Sequence, residues 1–324
     1  MNRAATWLLT AGVLLFIAVL ASQNLSAVLS TLAHAGWGLP LVALFHLLPL
    51  SVDAAAIVLV FAGAMTRKSA EDGLLARWVG ESANSLMPAG QLGGPVLMAR
   101  FLARRGMAMD DAAAAITVST TLQTFAQIMF AMVGVFLLGA EAGHLSETEV
   151  RTAALIASAF LAVQVGGFYW LQRRGIFSKL IGAVTRFWGK RDWSKMMTQA
   201  QAIDLKVQST YDRCGAVAMC LLLNLFGWFV GVGEVYLIAW LLGTPVSWSH
   251  ALLLESVGSA IRGASFAIPG ALGVQEGGYL LLAPLAGLSP NAGIALSLAK
   301  RARELLLGIP GLIYLHFAAR GATR

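Results

Sequence analysis

The stretch SLAKRARELLLG, residues 297–308, places Lys300, Arg301, Arg303 and Glu304 about ten residues into the last long apolar segment of the chain. An ionisable residue at such a depth costs at least about 2.5–3.5 kcal/mol on insertion scales, so each is a functional candidate by default. Arginine offers a planar fork that matches phosphate oxygens in pairs, and lysine a point charge. On a helix Lys300, Arg303 and Glu304 share a face, with Arg301 about 100° from Lys300. Arg262 and Arg100 carry charge that can join the same field, and together these residues suit the phosphate of an anionic head group. The competing account is internal pairing of Glu255, Glu276 and Glu304 with Arg262, Lys300 and Arg303, and both can hold in one protein. Asp53 and Glu234 also lie well inside apolar runs, as candidate proton-coupling groups or as halves of structural pairs.

The elements that must position these groups are membrane helices. The 324 residues are 58% hydrophobic and only 12% charged, with mean hydropathy +0.73, against about 25% charged in an average soluble domain. Runs long enough to cross a bilayer, about 20 residues each, are expected at Thr6–Ala21, Leu39–Met65, Ala112–Leu138, Thr152–Leu171, Ala216–Leu242 and Gly293–Phe317. The first run, with Arg3 before it and small residues after it, also fits a signal peptide; it is expected to be retained, because the next segments follow at once.

Two segments are too broken for plain spans. ESANSLMPAGQLGGPVLMAR, residues 81–100, sets Pro88, Gly90 and Gly93 beside Glu81, Asn84, Ser85 and Gln91. Residues 255–285 repeat the device: Glu255 and Ser256 lead to Pro269, Gly270 and Gly273, followed by Gln275 and Glu276. Irregular backbone at membrane depth is tolerated only where protein or a watery cavity surrounds it. Both flanks of the first segment are basic, which places both on the cytoplasmic side and predicts a re-entrant hairpin; a single kinked span is the alternative. The second is expected to enter from the opposite face, making an inverted repeat with its site near the midplane. The expected fold is an all-α polytopic membrane protein of about six full spans plus two oppositely inserted re-entrant helical hairpins, forming a single transmembrane domain over residues 1–324.

The formal charge of +7 follows topology and does not signal nucleic acid. Nine Lys or Arg fall between Arg173 and Arg213 against three Asp, whereas the Glu141–Glu149 loop carries three acids. Positive residues stay inside, so residues 172–213 form a cytoplasmic basic loop and both termini are cytoplasmic. Within it Phe177, Leu180, Ile181 and Val184 recur at helical spacing among cations, as in an amphipathic helix on an anionic leaflet; a solvated loop that only sets topology fits equally. Enzyme signatures are thin: the sequence has no Walker-type loop, no HExxH and no paired-cysteine metal motif. Cys214 and Cys220 read as buried thiols, and His34, His46, His144, His250 and His316 as scattered interfacial or core residues. No metal, cofactor or enzymatic activity is expected.

FAIPGALGVQEGGYLLLAPLAGLSPNAGIALSLAKRARELLLGIPGL resembles the membrane-domain family of lysylphosphatidylglycerol synthases, whose members share a Pro-Gly-Gly-Leu-Gly-x-x-Glu turn, a helix with an inner Arg and a Pro-containing last span. Pro269, Gly270, Leu272, Gly273, Glu276, Arg301 or Arg303, and Pro310 fit that pattern. Ala271 replaces the usual second glycine and Gln275 a frequent Arg, departures that bear on head-group preference. HLLPLSVDAAAIVLVF and the 81–102 segment are most similar to the branch found with hopanoid biosynthesis genes. The resemblance implies a bacterial inner-membrane flippase with a membrane lipid as substrate and with homodimerisation or lipid-biosynthesis proteins as candidate partners. The aminoacyl-transferase activity of the full synthase is not carried over. The rival function is a non-transporting scaffold subunit of a lipid-synthesis complex.

Overall fold

The structure, a computed structural model, describes residues 33–61, 63, 66–87, 93–141, 163, 166–167, 169–187, 194–265 and 268–321, together with Leu14 and Ser30. The expected spans at 6–21 and 152–171 fall mainly outside the described residues. So do the acidic loop beyond Glu141 and the first turn with Pro88, Gly90 and Gln91.

Regular structure among the described residues is entirely helical: α1 (Gly38–Leu59), α2 (Arg67–Leu86), α3 (Gly93–Arg104), α4 (Met109–Glu141), α5 (Ile176–Phe187), α6 (Ser194–Asp212), α7 (Cys214–Leu241), α8 (Trp248–Ala264), α9 (Val274–Leu282) and α10 (Pro290–Gly321). Three of them are long and apolar enough to cross a membrane: α1, Met109–Leu137 of α4, and α7. These match three of the expected runs. The last expected run forms α10, which is continuous through Pro310 but, with four charges at its middle, is not in that set.

The first broken segment folds as two antiparallel helices. Thr66 caps α2 through a reciprocal bond with Ser69, and α3 returns so that Gly80 faces Met98 and the Gly94 amide donates to Asn84 Oδ1 at 2.9 Å. At the open end Arg105 donates to Asp72 (2.6 Å) and Glu71 (2.8 Å), while Lys68 reaches Asp72 and the Arg105 carbonyl. Hydrogen bonding to Asp72 raises the Arg105 guanidinium further above its ordinary value. The start of α2 and the end of α3 are thereby fastened together.

The second broken segment has the same form. Helix α8 runs to Ala264, a short 3-10 turn spans Pro269–Ala271, and α9 returns alongside α8, with Gln275 opposite Arg262 and Tyr279 opposite Gly258. Gly270, Ala271 and Gly273 all have positive φ, at 60°, 51° and 76°. Glycine adopts that region freely, whereas an L-residue with a Cβ pays roughly 1–2 kcal/mol. Ala271, the position at which the sequence departs from the expected glycine, is therefore the strained member of the turn.

Long helices knit the two hairpins together. After the first hairpin, α4 packs on its second arm α3 and on the first arm α8 of the other; after the second, α10 packs on α9 and on α2. The same pattern of neighbours occurs twice. Trp78 Nε1 donates to the Leu307 carbonyl at 2.9 Å, and Gly293 lies against the backbone of Tyr279, so α10 spans from one hairpin to the other. Helices α1 and α7 run antiparallel, Gly38 facing Leu241, Phe45 facing Gly233 and Asp53 facing Gly227; small residues permit this close approach.

The basic region holds two helices. Asp204 of α6 accepts from the Phe177 and Ser178 amides at 3.0 and 2.8 Å, capping α5, and α6 packs on α4. Burial pushes the Tyr211 hydroxyl up to about 12, which keeps it a donor to Gln172 Oε1. The expected apolar stripe divides: Phe177 packs into the core beside α4 while Leu180 is exposed. A stripe lying wholly on a leaflet is corrected to this extent, because α6 covers part of α5.

Replacing Ala271 with glycine removes the Cβ from a left-handed conformation and is expected to stabilise the protein by up to about 1 kcal/mol. Thermal unfolding of the detergent-solubilised chain measures it; a lower midpoint for A271G than for the parent refutes the assigned strain.

Candidate functional site

Helix α10 carries its four charges to the level of the second turn, where Gly270 lies against the Ser85 carbonyl near the end of α2. Each cation finds a carboxylate from a different element. Lys300 Nζ contacts Glu255 of α8 at 2.5 Å, and Tyr279 Oη lies 3.4 Å from the same carboxylate oxygen. Arg262 pairs with Glu304 and donates to Gln275 Oε1. Arg301 uses all three guanidinium nitrogens: Nε to Glu276 (2.9 Å), Nη1 to Glu304 (2.9 Å) and Nη2 to the Ala271 carbonyl (3.2 Å). Glu276 in turn accepts from the Gly273 amide at 2.8 Å.

Arg303 reaches the other way, toward α1, α2 and α7. His46 of α1 is central there, with Nδ1 2.5 Å from Glu234 and Nε2 2.7 Å from Glu81. Arg303 Nη1 lies 3.2 Å from Glu81 and 3.0 Å from His46 Nε2. Its Nε is 3.3 Å from Glu234 Oε1, close enough for charge attraction yet misaligned for a hydrogen bond, so both atoms are buried without a hydrogen-bond partner among the described residues. Such atoms are uncommon in protein interiors and call for a reason. A second node lies along α1, where Asp53 accepts from Arg77 (2.7 Å) and Gln123 (2.8 Å).

These nodes surround a cavity of about 240 Å³. Its walls come from α1, α4, α7 and α10 and from all four hairpin arms, and Arg77, Arg262, Lys300 and Arg303 are its cations. Of the expected polar lining, Glu81, Asn84, Ser85, Glu255 and Gln275 face it, as do both candidate proton-coupling groups, Asp53 and Glu234. Asn84 also holds the first hairpin together through Gly94.

Four expectations change. Arg301, Glu276 and Glu304 do not line this cavity; they form a packed cluster that fixes the second turn, because Arg301 points away from the face shared by Lys300 and Arg303. Arg100 is exposed, on the side of α3 opposite buried Met98, Phe101 and Leu102, so it does not join the field. Gly93 opens α3 and Gly270 and Gly273 make the second turn, as bends require; Pro269 begins that turn.

Sequence reasoning missed His46, Arg77 and Gln123. Arg77 stands four residues before Glu81, 3.8 Å from it in the structure, and that spacing on one helix face was a readable signal. His46, read as an interfacial or core residue, has partners 35, 188 and 257 positions away, and no local pattern announces it.

Because Arg301 serves the turn, Arg301→Gln is expected to cost about 3–5 kcal/mol of stability by leaving buried Glu276 without its cation. Arg301→Gln with Glu276→Gln should regain part of the loss. Denaturation of the two variants against the parent tests this; a single variant within about 0.5 kcal/mol of the parent places Arg301 outside the structural cluster.

Comparison with known proteins gives one result. The family model described as "Lysylphosphatidylglycerol synthase TM region" matches residues 5–311. Neither a curated protein nor a solved structure matches the chain. The matched region holds every residue of the cavity and of the Arg301 cluster, and by that coverage the chain is a multi-pass membrane protein belonging to the lysylphosphatidylglycerol synthase TM-region family.

Proposed function

We propose that this protein binds the polar head group of a membrane lipid in the cavity between its two hairpins and passes that lipid between leaflets. The observation that carries the proposal is the convergence of Arg77, Arg262, Lys300 and Arg303 on one cavity lined by all four hairpin arms. Cations at membrane depth are costly, and a fork such as Arg303 suits paired phosphate oxygens. Family membership supports a lipid-related role. Assignment to the hopanoid-associated branch, a bacterial inner-membrane location and cytoplasmic termini belong to the same proposal, as does the absence of enzymatic activity. A second copy of the chain and lipid-biosynthesis proteins are its candidate partners.

In this reading the hairpins enter the bilayer from opposite faces and do not cross it. The fastening of Arg105 to Glu71 and Asp72 supports a common side for the two ends of the first hairpin. In a cysteine-free background, cysteines at Ala70 and Arg104 should react only from the cytoplasmic side, and cysteines at Ser249 and Ser289 only from outside. Labelling of all four positions from one face would refute the opposed insertion.

The scaffold reading is favoured by a specific observation: the cations already have carboxylate partners, as internal pairing requires. Function separates the two. Losing one charge-assisted contact of about 1.5–3 kcal/mol should slow translocation of a fluorescent phospholipid in reconstituted vesicles at least about tenfold in Arg303→Gln. The double variant Arg303→Gln with Glu234→Gln removes cation and carboxylate together. It should stay inactive if Arg303 holds a head group, and recover transport if the charges serve packing alone. Vesicles containing the parent chain that move no lipid above protein-free vesicles would favour the scaffold.

A further inference from the structure

The charges at the centre of the molecule are close to balance, and a ligand charge would upset it. Among the described residues five cations meet there, Arg77, Arg262, Lys300, Arg301 and Arg303. They face six carboxylates, Asp53, Glu81, Glu234, Glu255, Glu276 and Glu304. His46 sits with both ring nitrogens against carboxylate oxygens, and an imidazolium donating through both brings the set to six against six. A phosphodiester head group adds one negative charge to an enclosure whose cations are all engaged. It must take a cation from a carboxylate, and a carboxylate left without compensation in a water-poor site is neutralised by a proton more cheaply than it is kept charged.

The geometry identifies which carboxylate yields. Two of the cavity cations, Arg77 and Arg303, have an Nε with no hydrogen-bond partner among the described residues, and the nearer of the two to Glu81 is Arg303, at 3.2 Å against 3.8 Å. Arg303 can add a phosphate contact at Nε before giving up any bond. Of its two carboxylate neighbours Glu234 is enclosed, its side chain 3% exposed, whereas Glu81 is 23% exposed at the cavity wall. Glu81 is held by His46 from α1, by Arg303 from α10 and, at 3.8 Å, by Arg77 from its own helix. The other charged groups near it are Asp53 from α1, Glu234 from α7, Glu304 of α10, and Glu255 of α8 with its partner Lys300 of α10; α3 and α4 add only uncharged groups to this part of the wall, among them Asn84's partner Gly94 and Gln123. A phosphate on Arg303 displaces Glu81 first.

We propose that an anionic phosphodiester lipid enters this cavity together with a proton from solvent, which Glu81 takes up as Arg303 turns to the phosphate. No bond in the lipid changes: the carboxylate becomes a carboxylic acid, and the net charge of the enclosure is the same before and after. The inference rests on the head-group reading above and deepens it, because a lipid that travels with a proton can be driven by a proton gradient without a nucleotide.

The test is calorimetric titration of the detergent-solubilised full chain with phosphatidylglycerol, at one pH in two buffers of different ionisation enthalpy, so that heat from proton exchange separates from heat of binding. Uptake of about one proton per bound phosphatidylglycerol is expected, and in that pH interval Kd should weaken about tenfold per unit rise in pH. Phosphatidylcholine, which brings its own cation, should bind with uptake near zero. Phosphatidylglycerol binding without proton uptake anywhere between about pH 6 and 8 overturns the inference and leaves the head-group reading standing. Absence of binding by both lipids overturns the head-group reading and this inference with it. In Glu81→Gln the uptake should vanish; undiminished uptake in that variant shows that Glu81 is not the acceptor. The pH dependence of the unaltered protein decides the matter even where the variant fails to fold.

Discussion

The dominant constraint is that a charge carried away from water must meet an opposite charge there. Helix α10 brings Lys300, Arg301, Arg303 and Glu304 to the middle of the molecule, and no single neighbouring helix offers partners for all of them. The partners come from everywhere: Glu255 from α8, Glu276 from α9, Glu81 from α2, Glu234 from α7, with His46 of α1 tying the last two together. Packing follows from this. Glu81 of α2 and the turn after α8 must come up to the centre of α10, and α1 and α7 must pack closely enough, through Gly227 and Gly233, for their polar groups to reach the same place.

The cations of α10 differ in what surrounds them, and this separates structure from site. Arg301 has a satisfied guanidinium whose partners include a backbone carbonyl of the turn it supports. Its loss is a matter of folding. Arg303 faces an open volume, with one nitrogen left over and neighbours that are themselves shared. Internal pairing holds on both sides of the second turn, since the cavity cations Arg77, Arg262, Lys300 and Arg303 have carboxylate partners as Arg301 does; what differs is that the cavity pairs border an open volume, which is where the head-group reading places its ligand.

Much of the frame was legible because its signals are local. Long apolar runs announced α1, α4 and α7 to within a few residues, since bilayer thickness fixes helix length. The Pro-Gly break at Pro269–Gly273 announced the turn between α8 and α9, where Gly270 and Gly273 occupy the positive-φ positions that such a turn demands. What stayed hidden was pairing. Arg100 and Arg303 are equally basic in the sequence, and only the burial of Met98, Phe101 and Leu102 on one face of α3 shows that Arg100 faces outward. His46 looks like any histidine in an apolar stretch, because its role is set by carboxylates on α2 and α7 whose approach depends on the whole fold. The stripe of α5 was legible as amphipathic, but not that Asp204 would cap that helix and that Phe177 would turn inward.

A balanced set of buried charges also explains why a site of this kind needs orphan atoms. If every donor and acceptor were saturated, a phosphate would have to break a bond before making one, and the barrier would include the full cost of an unpaired buried ion. Arg303 Nε and Glu234 Oε1 leave one contact in reserve on each side of the same pair. On the head-group reading an incoming anion binds at Arg303 while its existing bonds still hold, and the rearrangement of Glu81 and His46 follows as an exchange between partners already within about 3 Å of one another. Exchange among near-equivalent pairings keeps the charges compensated throughout, whereas stripping a single isolated ion pair would expose both halves. On the head-group reading the crowded network is for that reason compatible with passage of a charged group.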